Sequence, residues 1–247
     1  MKAFPLAILL LSVLPLSAQE NDPAQTPPQL TAEQQAFTNL PEEKRKLFME
    51  NLQEASRLFQ QKRIFETMDA LDKADKVFDG SSDVLNLRGS CFVEMRAFDK
   101  ALDCYTKALK ISPENISIQF NMAEVLFVTK EWKKANDLLY TVLTKLPPQN
   151  ISMTRLVEFK ILLCKKKLGL KEEAIALSEK YDYMDDSPYY YFAQAAREYD
   201  AKNEVKAEEW VAMAGRVFRD PAILSPWQDT MIEYGYVKSF YGGDTNQ

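Results

Sequence analysis

The chain has 247 residues, of which 46% are hydrophobic, and a formal net charge of −5. This length allows one substantial domain or two small ones. A mildly acidic chain with no basic stripe is a poor match for nucleic-acid binding. The sequence contains no histidine, the commonest general base and the commonest metal ligand, so composition disfavours catalysis and a metal site.

Residues 1–18 have the features of a secretory signal peptide. Lys2 supplies the positive start, residues 3–14 form the apolar stretch, and cleavage is expected after Ala18. An uncleaved anchor is the alternative, but a spanning helix needs about 20 apolar residues. We therefore expect an exported protein, periplasmic or extracellular, with no integral membrane span after cleavage.

Residues 19–40 are predicted to be a flexible tether. Pro23, Pro27 and Pro28 stand among polar residues, and such a composition cannot bury a core of its own. Beyond the tether, apolar residues follow helical rather than alternating spacing, and the whole chain has only 7 Gly. These patterns predict an all-α fold.

A repeat with a period of 34 residues runs from Leu85 to Pro147. Small and aromatic residues alternate along two helices, and a proline closes each copy, a pattern typical of an array of helix pairs. Small residues allow two antiparallel helices to approach closely, and proline suits the first turn of the next helix. The first copy contains Gly89, Phe92, Phe98, Ala101, Tyr105, Ala108 and Pro113, and the second contains Ala123, Leu126, Trp132, Ala135, Leu139, Val142 and Pro147.

On these residues the chain resembles the tetratricopeptide repeat (TPR) family. The resemblance implies a right-handed α-solenoid of about five TPR-like helix pairs with a C-terminal capping helix. The register weakens on both sides of the two clear copies. The predicted array covers residues 41–219, with units at about 48–81, 82–115, 116–149, 150–186 and 187–219, and residues 220–247 form the capping helix and tail.

The C-terminal helix is predicted to begin at Ser225, in a capping-box pattern with Pro226 in the first turn. Two apolar faces are expected, and a helix that is apolar on both faces must bury both. This helix is therefore expected to do more than cap the array. One face carries Trp227, Met231, Tyr234 and Tyr241, and the other carries Ile232, Tyr236 and Phe240.

Cys91, Cys104 and Cys164 leave two interpretations open. Cys91 and Cys104 fall on the two helices of one unit, so a disulfide is conceivable; otherwise all three are small apolar core residues. An acidic cluster at Asp182, Asp185 and Asp186 lacks the spacing of a calcium loop, so it is interpreted as solvated acids.

The TPR resemblance implies a concave surface lined by the first helix of each unit. Projected onto this chain, that surface is rich in aromatic residues, as in a groove for an amphipathic helix or an apolar peptide. The alternative is that the C-terminal helix, or the segment before Asn39, fills the groove. The candidate groove residues are Phe59, Asn86, Ser90, Phe120, Glu124, Phe127, Phe159, Phe192 and Tyr199.

Three functional hypotheses follow from the resemblance and the composition. The first is an exported adaptor that binds a protein or peptide partner through the aromatic groove. The second is a structural subunit of a cell-envelope assembly complex, which predicts self-association of the isolated chain. The third is an enzyme, for which no catalytic set is visible. No cofactor is implied by any sequence pattern.

Overall fold

The computed structural model describes residues 30–238, and over this range the chain is helical with no strands. The prediction of an all-α fold is confirmed. The signal peptide, residues 19–29 of the predicted tether, and Phe240 and Tyr241 lie outside the described residues. The helices are Ala32–Thr38 (α1), Glu42–Gln60 (α2), Ile64–Val77 (α3), Ser82–Glu94 (α4), Phe98–Ile111 (α5), Ile116–Val128 (α6), Trp132–Lys145 (α7), Ile151–Leu168 (α8), Lys171–Ser178 (α9), Tyr189–Asp200 (α10), Glu204–Val217 (α11) and Pro221–Tyr234 (α12).

Consecutive helices pack as pairs, as the repeat predicts. The pairs α2–α3, α4–α5, α8–α9 and α10–α11 each make extensive contacts. Gly89 shows why the repeat needs a small residue on the first helix: a Cβ atom there would lie 2.6 Å from Cε1 of Tyr105. The glycine therefore allows the ring of α5 to lie directly against the backbone of α4.

Helix boundaries follow local capping chemistry. The side chains of Ser81 and Asn150 accept hydrogen bonds from the backbone N–H groups of Val84 and Met153, which satisfies one unpaired donor at the start of α4 and of α8. Between the helices of a pair, the turn requires one residue with positive φ. That residue is Lys62, Arg96, Lys130, Gly169 or Lys202.

The chain divides into two compact units within α6, at Met122 and Ala123. We call the described residues 30–122 the N-terminal unit and 123–238 the C-terminal unit. In the N-terminal unit, buried residues of α2, α3 and α4 form one apolar core. In the C-terminal unit, buried residues of α8 and α10 pack with one face of α12.

The prediction of a tether through residue 40 is wrong for residues 32–38, which form α1. Thr31 and Gln34 form a reciprocal capping box at its start. The ring of Phe37 then packs against the rings of Phe48 and Phe78, with centroids 5.4 and 5.6 Å away. Contact of this half-buried ring with the aromatic core compensates for ordering the short helix.

The C-terminal helix also differs from the prediction. It begins at Pro221, capped by the side chain of Asp220, rather than at Ser225. Pro226 lies inside the helix. None of the helices within residues 30–238 combines the length and the apolar character that crossing a bilayer requires.

Candidate functional site

Most of the candidate groove residues are buried. Asn86 and Tyr199 are half-buried, so the predicted aromatic surface is not open in this structure. The projection of the repeat placed these residues on the concave surface, but it did not show what covers them. The buried members are Phe59, Ser90, Phe120, Glu124, Phe127, Phe159 and Phe192.

In the C-terminal unit, α12 is the element that covers the aromatic rings. The indole of Trp227 lies 5.3 Å from the ring of Phe159 and 5.6 Å from that of Phe192, measured between centroids. Its third neighbour is Tyr189, at 6.2 Å. The alternative in which the chain's own C-terminal helix occupies the groove therefore describes this unit.

The C-terminal end of α12 covers the remaining aromatic positions. Tyr234 lies 6.3 Å from the ring of Phe127, between centroids. Tyr236 follows the helix and stacks on Tyr199 at 5.2 Å and an interplanar angle of 17°. The hydroxyl of Tyr236 also donates a hydrogen bond of 2.6 Å to Asp200. The predicted second buried face is only half-buried at Ile232.

A buried charged cluster joins α6, α8 and α12. Nζ of Lys160 lies 3.0 Å from Oε2 of Glu124 and 3.3 Å from Oε2 of Glu233, and the Lys160 side chain is only 2% exposed. The same ammonium lies 4.7 Å from the ring centroid of Phe127, a cation–π distance. Lys130 adds a hydrogen bond to the carbonyl oxygen of Glu233.

Glu124 is poorly satisfied in this cluster. Its Oε1 atom is buried without a hydrogen-bond partner. Burial raises the pKa of Glu124 to about 7; Lys160 opposes this, and the carboxylates of Glu233 and Asp229 add to it. Burial alone would lower the pKa of Lys160, but Glu124 and Glu233 outweigh it and raise that pKa. The cluster therefore keeps the lysine charged and disfavours ionisation of Glu124.

In the N-terminal unit, the candidate polar residues form hydrogen bonds within the array. The hydroxyls of Ser90 and Tyr105 lie 3.2 Å apart, which links the two helices of one pair. The side-chain amide of Asn121 donates to Oδ1 of Asn86 at 3.0 Å. The Oδ1 atom of Asn121 is buried without a partner. Phe59 belongs to the apolar core.

An open cleft of about 300 Å³ lies in the N-terminal unit. Its floor is apolar, and Met49 on its wall is 53% exposed. At one end the carboxylate of Glu33 accepts hydrogen bonds of 2.7 Å from both the backbone N–H and the hydroxyl of Ser82. The lining residues are Thr31, Glu33, Gln34, Phe37, Phe48, Met49, Leu52, Phe78, Ser81, Ser82, Asp83, Ser112 and Asn115.

This cleft was not predicted from the sequence, because the residues of α1 were assigned to the tether. Thr31 and Gln34 have the spacing of a capping box, S/T-x-x-E/Q, which would have indicated a helix start. Without α1, the cleft lacks the part of its lining that Glu33 and Phe37 contribute. No residue pattern in α2 or α4 alone indicates a pocket.

The cysteines and the acidic cluster contribute no reactive site. Cys91, Cys104 and Cys164 are buried free thiols, and burial raises the pKa of Cys91 and of Cys164 to about 12. Asp185 forms an ion pair of 3.0 Å with Arg155. Within residues 30–238, acidic and cysteine side chains do not gather into a group that could hold a metal ion.

Two solved structures share this fold at low sequence identity. YrrB, described as a TPR protein with an unusual peptide-binding site, aligns with a TM-score of 0.52 and 20% identity over 76% of this chain and 95% of its own. PilF of Pseudomonas aeruginosa aligns with a TM-score of 0.56 and 15% identity over 82% of this chain and 96% of its own. A search of curated protein sequences finds no match.

The sequence match to a known family covers one repeat. The tetratricopeptide repeat model matches residues 82–115, which are α4 and α5 with their flanking turns. This range coincides with the first of the two clear copies in the 34-residue pattern. Residues 82–115 therefore match a tetratricopeptide repeat in sequence, and the chain shares the helical fold of YrrB and PilF.

Proposed function

We propose that this chain is an adaptor that binds a partner polypeptide in the cleft of the N-terminal unit. The TPR fold implies protein–protein interaction, and TPR proteins are typically non-catalytic scaffolds. The observation that carries the proposal is the contrast between the two units. The aromatic rings of the C-terminal unit are covered by α12, whereas the cleft beside Met49 is open.

The lining of the cleft defines the chemistry of the partner. The rings of Phe37, Phe48 and Phe78 pack edge-on or tilted against one another and form a rigid apolar floor. The lining also contains polar residues, including Ser112 and Asn115. An extended peptide with one apolar anchor matches both parts of the lining, since its side chain contacts the rings and its backbone contacts the polar residues.

A photo-crosslinking residue introduced at Met49 tests this proposal, with the same residue at Phe65 as the matched control. Phe65 is 77% exposed on α3 and lies outside the cleft. The expected result is a discrete crosslinked partner from position 49 and not from position 65. A synthetic peptide from the crosslinked segment should bind the wild-type chain and lose at least about ten-fold in affinity with Met49→Glu, because a charge would then face the apolar floor. Equal crosslinking at both positions would refute the cleft as the binding site.

Export is proposed on the sequence features of residues 1–18. Mass spectrometry of the protein purified from its native cells should give a mature chain that begins at Gln19. A structural role in an envelope assembly is a separate hypothesis, and it predicts self-association of the purified mature chain. Analytical ultracentrifugation distinguishes this hypothesis from the adaptor proposal, because the adaptor should sediment as a monomer.

A further inference from the structure

We propose that the inner face of α8 and α10 is a helix-binding groove whose resident occupant, α12, is replaceable. The partner that fits is an amphipathic helix with a Trp anchor and a hydrogen-bond donor opposite Glu124. This surface is separate from the cleft of the N-terminal unit, so the inference does not rest on the proposed function. The inference concerns the binding of a second partner, a helix that takes the place of α12.

The burial pattern of α12 is that of a ligand helix in a groove. Its buried apolar residues are Leu224, Trp227, Met231 and Tyr234, at intervals of three, four and three positions. This spacing places them in one stripe. The opposite side faces solvent at its start, where Ile223 is 45% exposed.

The groove holds a Trp anchor of the kind that dominates helix recognition. The rings of Phe159, Tyr189 and Phe192 lie 5.3, 6.2 and 5.6 Å from the indole of Trp227, between centroids, and all three residues are fully buried. Large aromatic anchors in desolvated pockets carry most of the affinity of such interfaces. A competing helix therefore needs an equivalent ring at this position.

The charged groups between α12 and its groove are incompletely matched. One buried ammonium, that of Lys160, serves the carboxylates of both Glu124 and Glu233. Oε1 of Glu124 has no hydrogen-bond partner, and α12 brings a further carboxylate, Asp229, near it. A helix with an amide in place of Glu233 would remove one excess carboxylate and could donate to Glu124.

The connections of α12 allow it to leave without disrupting a helix pair. Only Phe218, Arg219 and Asp220 link it to α11, and Gly235 ends it in a left-handed conformation. The pairs α8–α9 and α10–α11 have their own extensive packing. Release of α12 therefore exposes the inner aromatic face and leaves these pairs assembled.

The direct test is binding of a fluorescent synthetic peptide of residues 220–238 to the full-length chain. In the wild type, the resident helix competes at a high effective concentration, so binding should be weak. In a full-length Trp227→Ala chain, the resident helix loses its anchor, and the peptide should bind at least about ten-fold more tightly. Ile223→Ala is the matched control on the exposed face of the same helix and should behave as the wild type.

Peptide variants test the chemistry of the partner. A peptide with Trp227→Ala should not bind the Trp227→Ala chain, because it lacks the anchor. A peptide with Glu233→Gln should bind that chain several-fold more tightly than the native peptide. A folded Trp227→Ala chain that does not take up the native peptide would overturn the proposal, and weaker binding of the Gln peptide would overturn the assignment of the donor.

Hydrogen exchange on the wild-type protein keeps the proposal testable even if Trp227→Ala does not fold. Amides of residues 227–234 should exchange at least about 100-fold faster than those of residues 156–164 in α8, through opening of α12 alone. Equal protection in the two helices would mean that α12 opens only with the whole unit. That result would make α12 a permanent part of the core.

Discussion

Gly89 is the residue at which the repeat pattern has its most direct physical cause. A Cβ atom at this position would meet Cε1 of Tyr105 at 2.6 Å, and the Tyr105 ring is fully buried in the N-terminal unit. Gly215, in α11, is the opposite case, since the nearest atom to its Cβ would be Cδ1 of Leu224 at 4.0 Å. Close packing therefore requires a glycine at position 89 but not at position 215.

We expect Gly89→Ala to lower the free energy of unfolding by about 1–3 kcal/mol, because displacement of a buried ring outweighs the gain of up to about 1 kcal/mol in helix propensity. Gly215→Ala keeps that gain and meets no clash, so it should be neutral or stabilising. Urea denaturation followed by circular dichroism measures both changes. A stabilising effect of Gly89→Ala would show that Tyr105 can move, which would contradict this account of the repeat.

At the scale of the element, the turn between the helices of each pair repeats a strained backbone conformation. Lys62, Arg96, Lys130 and Lys202 all have φ between 57° and 68°. A left-handed conformation costs a non-glycine residue about 1–2 kcal/mol. The fourth pair has Gly169 at its turn, with φ of 75°. The geometry of the turn is thus kept whichever residue occupies it.

Lys202→Gly should raise the free energy of unfolding by up to about 1 kcal/mol, because glycine relieves the strain and loses only part of that gain to chain entropy. The hydrogen bond from the residue 202 backbone N–H to the carbonyl of Tyr199, at 3.0 Å, is retained. Lys206→Gly, inside α11, is the control and should lower stability by about 1 kcal/mol. Thermal and urea unfolding of both variants provide the measurement. A loss of stability with Lys202→Gly would mean that the lysine side chain contributes more than the strain costs.

For the molecule as a whole, the buried charged cluster of Glu124, Lys160 and Glu233 links stability to pH. The pKa of Glu124 is raised in the folded state relative to the unfolded chain, where it is 4.5. A carboxyl with a raised folded pKa contributes stability that is fully present below the unfolded pKa and is lost as pH rises through the folded pKa. The window for Glu124 therefore runs from about pH 4.5 to about pH 7.

The difference in unfolding free energy between the wild type and Glu124→Gln should fall by up to about 3 kcal/mol across this window, since each pKa unit corresponds to about 1.4 kcal/mol. Glu208→Gln, on the exposed surface of α11, is the matched control and should show no such trend. Urea denaturation at a series of pH values between 4.5 and 8 gives the measurement. A constant difference across the series would show that Glu124 is ionised in the folded protein throughout.

The candidate site was only partly predictable from the sequence, because some of its features are local and others join distant segments. The repeat register projected Phe127, Phe159 and Phe192 onto the concave surface, because helical periodicity is local. It could not show that Trp227 covers two of them, because that contact joins segments far apart in the chain. The hydrogen bond between Lys160 and Glu233 likewise spans 73 positions.

Sequence alone determined the helical class, the 34-residue repeat and the positions of most turns, since capping, proline and small-residue rules act over a few residues. Tertiary structure alone decided which surfaces stay open. The docking of α1 depends on Glu33 reaching Ser82, 49 positions away, and that of α12 depends on Trp227 and Glu233. Burial of an aromatic ring and pairing of a charge are gained only when distant segments meet, so the periodic pattern contained neither outcome.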